Sequence, residues 1–177
     1  MRRDPVLALW LAPCAALVAG PVAGTTYLTV EQAQAALFPG AQMTAHPVAL
    51  TPAQVKAIEK ASDTRVREKT LKVWSASNGG WFYVDQVIGK HELITYALAL
   101  DAAGAVRGIE ILDYRETYGG EVRDPKWRAQ FVGKKVGSPL KLDVDIMNLS
   151  GATLSSRNIT VGVRRLLATH ELVVGKP

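Results

Sequence analysis

The chain has 177 residues, of which 48% are hydrophobic and 21% are charged, and its formal net charge is +5. This length and composition predict a single domain that buries its own core. After residue 24, the longest basic runs are the pairs Lys134-Lys135 and Arg164-Arg165, whereas a nucleic-acid binder needs a clustered basic surface. We therefore expect no nucleic-acid partner.

The first 24 residues have the pattern of a secretory signal peptide. Basic residues at positions 2 and 3 precede an apolar run over 6–19, and small residues follow as far as Gly24. This run is shorter than the roughly 20 apolar residues that span a bilayer, so an uncleaved anchor is the second choice. We expect residues 1–24 to be the signal and residues 25–177 to be one exported, periplasmic domain. Cleavage would also remove Cys14, the single cysteine, and with it any disulfide or iron–sulfur cluster.

Two short helices open the exported part. Thr29 is expected to cap a helix over 30–38, with Gln32 completing a capping box. Thr51 is expected to cap a second helix that begins at Pro52. Both helices are interpreted as packing elements.

From residue 70 the apolar period changes to two. This alternation predicts four strands, over 70–77, 81–88, 93–101 and 106–114. Further along, the sequence predicts a short helix from Pro125 with Asp124 as its cap, and a strand over 140–144. The fold class is therefore α+β, with an antiparallel sheet of about four to six strands and flanking helices.

The segment SGATLSS at 150–156 places hydroxyl groups on a glycine turn just before a helix. Apolar residues at helical spacing predict that this helix runs on from Ser155. The free N–H groups at a helix start attract anions, and Thr153 lies at that point. Two interpretations are open: a phosphate-binding turn, or an ordinary helix start that Ser155 or Ser156 caps.

SGAT followed by a hydroxyl-rich helix start resembles the FMN-binding domain family. That family includes the flavinylated subunits of the sodium-pumping NADH:quinone oxidoreductase and the Rnf complex, and the periplasmic domain of the nitrous oxide reductase regulator. The resemblance extends from about Leu93 to Leu172 and implies FMN as the cofactor. It also implies that a flavin transferase esterifies the FMN phosphate to Thr153. The expected function is then electron transfer with a membrane-bound or periplasmic redox partner.

One position differs from the family pattern. The acceptor signature of the family has Asp three residues before the Ser of SGAT, where this chain has Met147. Either Asn148 or Asp145 takes that role through a local shift, or the FMN is held without the ester. Both alternatives are open at this stage.

The loop Glu116-Thr117-Tyr118-Gly119-Gly120 is the second match, because the family carries Glu-Thr and a glycine turn here against the flavin ring. A plain turn is the alternative. The short helix after it adds Trp127, an aromatic wall for the ring, while Phe131 is assigned to the core and the lysine pair to the surface. Arg157 is expected to neutralise the phosphate. The expected cofactor-binding residues are Glu116, Thr117, Tyr118, Gly119, Trp127, Ser150, Gly151, Ala152, Thr153, Leu154, Ser155 and Arg157.

The leading hypothesis is an electron carrier and not a stand-alone enzyme. The first alternative is a non-redox periplasmic binding or assembly module with the same fold, and with non-covalent or no flavin. The second is a flavin-dependent reductase, for which Glu116 and Tyr118 are the proton donors available. The three histidines are isolated in the sequence, so we expect no metal site.

Overall fold

The computed structural model describes residues 25–175, and the predicted signal peptide lies outside them. Within these residues, no helix has the length and apolar character needed to cross a bilayer. The first elements along the chain are β1 (Thr25–Thr26), α1 (Val30–Leu37), β2 (Met43–Ala45), β3 (Val48–Ala49) and α2 (Pro52–Ser62).

The caps of α1 and α2 are confirmed. The side chain of Thr29 accepts a hydrogen bond from the backbone N–H of Gln32, and the side chain of Gln32 accepts one from the N–H of Thr29. Thr51 and Gln54 repeat this reciprocal pair at α2. Each box satisfies N–H groups that a helix start otherwise leaves free.

Four longer strands form an antiparallel meander: β4 (Thr70–Ala76), β5 (Trp81–Ile88), β6 (Leu93–Leu100) and β7 (Val106–Tyr114). Each bound lies within one residue of its prediction. The sheet runs in the order β1-β7-β6-β5-β4-β2, with β3 also paired to β4. The predicted α+β class and antiparallel sheet are thus confirmed, while the three short strands were not predicted because two or three residues show no alternation.

After β7 come a 3₁₀ turn (Gly120–Arg123), α3 (Pro125–Ala129) and the long α4 (Thr153–Thr169), whose last residue leads into a π-helical turn (His170–Val174). Asp124 caps α3 as predicted, by accepting a hydrogen bond from the N–H of Lys126. Most of the segment between β7 and α4 is irregular, and it supplies the loops described below.

The strand predicted over 140–144 is wrong. Leu140 and Asp143 have φ values of +42° and +61°, which no regular strand contains. The carboxylate of Asp145 accepts hydrogen bonds from the N–H groups of Leu140 and Lys141, at 3.2 and 2.9 Å. These local bonds hold a tight turn in place of a ladder to another strand.

The sheet buries both faces. On β6, Ile94, Tyr96 and Leu98 belong to the larger cluster, together with apolar residues of α4. Ala97 and Ala99 point to the smaller cluster, which α1 covers.

α4 lies close to the sheet at Gly162, where an added Cβ would come within 2.6 Å of the Tyr96 hydroxyl. A buried ion pair fixes the middle of the helix, because Arg165 donates to Asp85 at 2.5 Å and Tyr96 donates to the same carboxylate at 3.0 Å.

Candidate functional site

α4 begins without a cap. Its N-cap residue is Ala152, with φ −124° and ψ 22°, and no side chain bonds to the N–H groups of the first turn. Within residues 25–175, the N–H groups of Thr153, Leu154 and Ser155 have no hydrogen-bond acceptor. Three free donors at the positive end of a helix dipole form a ready anion site.

The helix starts two residues earlier than predicted. Ser155 and Ser156 lie inside it and are buried, so the interpretation in which either of them caps the helix is wrong. The hydroxyl of Ser156 donates to the carbonyl of Thr153 at 3.1 Å. The reason for the shift is local, since Ser156 N–H already donates to the carbonyl of Ala152 and closes the first helical turn there.

Gly151 makes the turn before α4. Its φ of +83° belongs to the left-handed region, which glycine enters without the strain that a Cβ brings. The turn leaves Thr153 half-buried, with its hydroxyl 3.4 Å from the carbonyl of Leu149. This distance is long for an O–H···O hydrogen bond, so the hydroxyl is only weakly engaged.

The loop 116–119 is tied to the β5–β6 turn. One carboxylate oxygen of Glu116 accepts hydrogen bonds from the N–H groups of His91 and Glu92, at 2.5 and 2.9 Å. A Cβ on Gly89 would come within 2.5 Å of the same oxygen, so glycine is needed for this approach. Burial tends to raise the pKa of Glu116, but the backbone donors outweigh it and lower the pKa below the ordinary 4.5. Glu116 is therefore an anion at neutral pH.

These two segments face each other across a groove of about 510 Å³. This volume lies within the range of roughly 300–1,000 Å³ typical of ligand and cofactor sites. The groove is lined by Lys90, His91, Glu116, Thr117, Tyr118, Gly151, Ala152, Thr153, Leu154 and Ser155. The structure thus brings the SGAT turn and the Glu116 loop together, as the sequence predicts.

Gly119 supports the groove from behind. It is buried, and a Cβ built on it would lie 3.3 Å from the Cβ of Ala152. Beside it lies Tyr114, which was not predicted from the sequence. Burial raises the pKa of Tyr114, so its hydroxyl stays protonated and remains a donor at neutral pH.

Besides Gly119, three predicted residues lie outside the lining. Trp127 is 2% exposed and packs edge-on against Phe131 in the core, with its N–H donating to the carbonyl of Met147 at 2.8 Å. Arg157 is exposed and stands in the second turn of α4, because the helix begins at Thr153. Ser150 is exposed just before the turn.

The groove also contains Lys90 and His91, which were not predicted as site residues. Lys90 brings a positive charge to the lining. The available signal was the Gly89-Lys90 turn, which was interpreted as a plain connection between strands. The residues of this turn do not by themselves indicate that it contacts the Glu116 loop. Within residues 25–175 no group of three or more His, Cys, Asp or Glu is arranged to hold a metal ion.

The position that departs from the family signature is exposed. Met147 is 62% exposed. Asp145 is engaged in its own turn and in an ion pair with Lys134 at 2.9 Å. The side-chain oxygen of Asn148 instead lies 3.3 Å from the hydroxyl of Ser156, as an alternative acceptor to the carbonyl of Thr153. Of the two substitutes considered for the missing Asp, Asn148 is therefore the one that reaches the first turns of α4.

Comparison with known proteins confirms the resemblance. Residues 89–168 match the FMN-binding domain family. A subunit of the Na⁺-translocating NADH-quinone reductase of Vibrio vulnificus is 31% identical over 134 residues, covering 61% of this chain and 52% of that subunit. The corresponding subunit of Vibrio anguillarum is 40% identical over 70 residues, covering 30% of this chain and 28% of that subunit. The chain thus spans about half the length of the first of these relatives.

Proposed function

Because residues 89–168 match the FMN-binding domain family, with FMN as the cofactor, we propose that this chain is an exported flavoprotein that carries FMN in the groove and transfers electrons. The observation that carries the proposal is the meeting of the SGAT turn and the Glu116 loop around one groove of suitable size. Neither segment alone excludes an ordinary turn. Together they provide an anion site at one wall and a loop for a planar ring at the other.

The start of α4 would hold the phosphate. Its free N–H groups, at Thr153, Leu154 and Ser155, point along the helix axis away from the helix body. Lys90 supplies a positive charge in the lining, in the role that was expected of Arg157. Backbone N–H groups at a helix start and a lysine are the groups that typically bind a phosphate.

The hydroxyl of Thr153 would then bind the phosphate covalently. In that reaction the Thr153 oxygen forms a bond to the FMN phosphorus of FAD, the diphosphate bond breaks, AMP leaves and the hydroxyl proton is released. A flavin transferase would catalyse this step. The weak hydrogen bond of this hydroxyl, 3.4 Å from Leu149, supports its availability.

The opposite wall favours an electron carrier over a reductase. A reductase needs a proton donor beside the ring, and Glu116 is a poor one because its lowered pKa keeps it ionised at neutral pH. The other proton donor considered, Tyr118, is 83% exposed at the groove. Bound FMN supplies the one- and two-electron chemistry, and the chain holds and tunes it.

The partner would be a membrane-bound redox protein. Support comes from the relatives, which are subunits of a Na⁺-translocating NADH-quinone reductase. Export is proposed on the signal pattern of residues 1–24, and the periplasm is the compartment that such a signal would give. A second redox protein must receive the electrons, because one flavin stores them only transiently.

The test is to express the full chain together with a flavin transferase and to measure its intact mass and its fluorescence on a denaturing gel. We expect wild type to gain one FMN less water. Thr153→Ser should keep this addition, and Thr153→Val should lose it although its shape is nearly the same. Thr160→Val is the matched control, since the Thr160 hydroxyl also lies on α4 and donates to the carbonyl four residues earlier, but it does not line the groove. A wild-type chain with no added mass and no yellow colour would refute the proposal.

Met147 gives the alternative its specific support, because the family signature has Asp there. If the FMN is held without the ester, flavin will be released on denaturation and wild type will keep its unmodified mass. Met147→Asp should then increase the fraction with added mass. Val144→Asp is the control, since Val144 is also 62% exposed and lies three residues earlier. A non-redox module would gain no covalent flavin in wild type, whether it holds flavin non-covalently or not at all.

A further inference from the structure

The hydroxyl of Tyr114 lies between the two walls of the groove. Tyr114 ends β7 and is 4% exposed. Its hydroxyl donates to the carbonyl of Tyr118 at 2.5 Å and lies 3.1 Å from the hydroxyl of Ser155. The carbonyl only accepts, so it takes the single phenol proton, and Ser155 must donate in the second bond.

Both partners of Tyr114 belong to the lining of the groove, one on each side. Tyr118 is part of the loop 116–119, and Ser155 is in the first turn of α4. The two hydrogen bonds therefore form a continuous link from wall to wall. This link is buried, and an unpaired hydroxyl there would be costly.

Gly119 shows how closely the chain is built around this hydroxyl. A Cβ at Gly119 would come within 2.5 Å of the Tyr114 hydroxyl oxygen. The φ of Gly119 is +92°, which also disfavours any residue with a Cβ. The missing side chain and the backbone conformation of Gly119 thus both leave room for the Tyr114 hydroxyl.

The other ties of the groove work differently. Glu116 holds the loop to the β5–β6 turn, and Asn158 holds α4 to the same turn by donating to the carbonyl of Ile88 at 2.6 Å. Each of these bonds fixes one wall to a third element. Tyr114 contacts both walls directly, so it can set the distance between them.

We propose that Tyr114 is a positioning residue whose hydroxyl sets the spacing of the loop 116–119 from the start of α4, and thereby orients the ring of FMN relative to its phosphate. The orientation of FMN rests on the proposed function. The spacing does not, because the link exists in the chain without cofactor. The two parts can therefore be tested separately.

The first measurement uses the full chain without flavin. Tyr114→Phe removes only the hydroxyl, and Tyr83→Phe is the matched control. Tyr83 is also buried, at 1% exposure, and its hydroxyl is bonded to His170 away from the groove. We expect Tyr114→Phe to lower hydrogen-exchange protection at both walls together: at the amides of His91 and Glu92, which donate to Glu116 of the loop, and at those of Ala152 and Ser156 at the start of α4. The expected loss is about tenfold, which is the scale of one hydrogen bond. Tyr83→Phe should leave these amides unchanged.

The second measurement uses the chain loaded with FMN. We expect Tyr114→Phe to shift the visible circular dichroism and the reduction potential of the flavin, while Tyr83→Phe retains the wild-type values. Unchanged protection at both walls, or an unchanged flavin signal despite lower protection, would overturn the inference. If wild type binds no flavin, the proposed function fails, and the role of Tyr114 in orienting FMN fails with it; the exchange data then decide the spacing alone.

Ser155→Ala provides a second variant if Tyr114→Phe folds poorly. It removes one of the two bonds and leaves Tyr114 tied to Tyr118. We expect protection to fall at Ala152 and Ser156, at the start of α4, and to stay at wild-type level at His91 and Glu92, which are bonded to the loop. Equal loss at both walls would contradict a link made of two separate bonds.

Discussion

The helices α1 and α2 begin with complete capping boxes, whereas α4, the longest helix described, begins with none. Thr29 and Thr51 have extended backbones, with ψ values of 166° and 158°, and each accepts a hydrogen bond from its helix. Ala152 has ψ 22° and no polar side chain to offer. The free donors of α4 lie at the groove, while in α1 and α2 the side chain of the cap residue accepts a hydrogen bond from the third N–H of the helix. A helix start left open beside a groove is suited to an external anion.

α4 is held from its middle instead of its start. Arg165 is 6% exposed and pairs with Asp85, and its guanidinium also donates to the carbonyl of Arg65 at 3.0 Å. This buried pair stabilises α4, whose start has no cap. α4 can therefore begin with free N–H groups, unlike α1 and α2. The following predictions test the two sides of the contrast.

The largest effect is expected on breaking that pair. Arg165→Ala leaves the largely buried Asp85 carboxylate without its cation and with Tyr96 as a donor, and removing one member of such a pair costs about 3–5 kcal/mol of unfolding free energy. Arg115→Ala is the matched control, because Arg115 pairs with Asp113 at 2.9 Å but its side chain is 58% exposed. Exposed pairs contribute up to about 1 kcal/mol. Denaturant titration of both variants gives the comparison, and equal losses would show that α4 is held elsewhere.

An intermediate effect is expected from the caps. Thr51→Ala should lower the unfolding free energy by about 1 kcal/mol, because it removes the acceptor for the N–H of Gln54. Thr153→Ala, at the start of α4, should leave stability unchanged or slightly higher, since alanine favours helix and no cap is lost. Thermal or denaturant unfolding measures both. A loss at Thr153 as large as that at Thr51 would mean that Thr153 does stabilise the helix start.

The smallest effect is expected from pH, at the loop facing the open helix start. The pKa of folded Glu116 is below its ordinary 4.5 because backbone N–H groups bind the carboxylate. Its stabilising contribution is therefore present above pH 4.5 and is lost as the pH falls through the lower, folded pKa. Hydrogen-exchange protection at His91 and Glu92 should fall in that acidic range. In Glu116→Gln this pH dependence should disappear, and the start of α2, whose first turn has no acidic residue, provides an internal control.

Sequence patterns predicted the parts of the fold that depend on neighbours in the chain. The four meander strands alternate in polarity, and the boxes at Thr29 and Thr51 join residues three apart, so both are visible locally. The turn at 140–144 was predicted as a strand because polar and apolar residues alternate there. The carboxylate of Asp145 binds two N–H groups and holds the segment as a turn.

The sequence predicted the two main segments of the site but not the residues that complete the groove between them. SGAT and the Glu116 loop have recognisable residues, and the structure brings them together. Lys90 and Tyr114 belong to a turn and a strand that carry no local sign of the groove. Their positions depend on contacts far apart in sequence, such as Tyr114 with Ser155, 41 residues apart. Only the folded chain shows such pairings.

The position of α4 in the chain also has a consequence for synthesis. Ile94, Tyr96 and Leu98 are fully buried, and the helix that helps to cover them begins only at Thr153. A nascent chain that has emerged as far as the meander therefore shows water a broad apolar surface, which is the kind of species that aggregates or binds chaperones. A fragment ending before Thr153 should precipitate where the whole chain stays dissolved. Completion of the core and completion of the groove thus occur together, when the same helix docks.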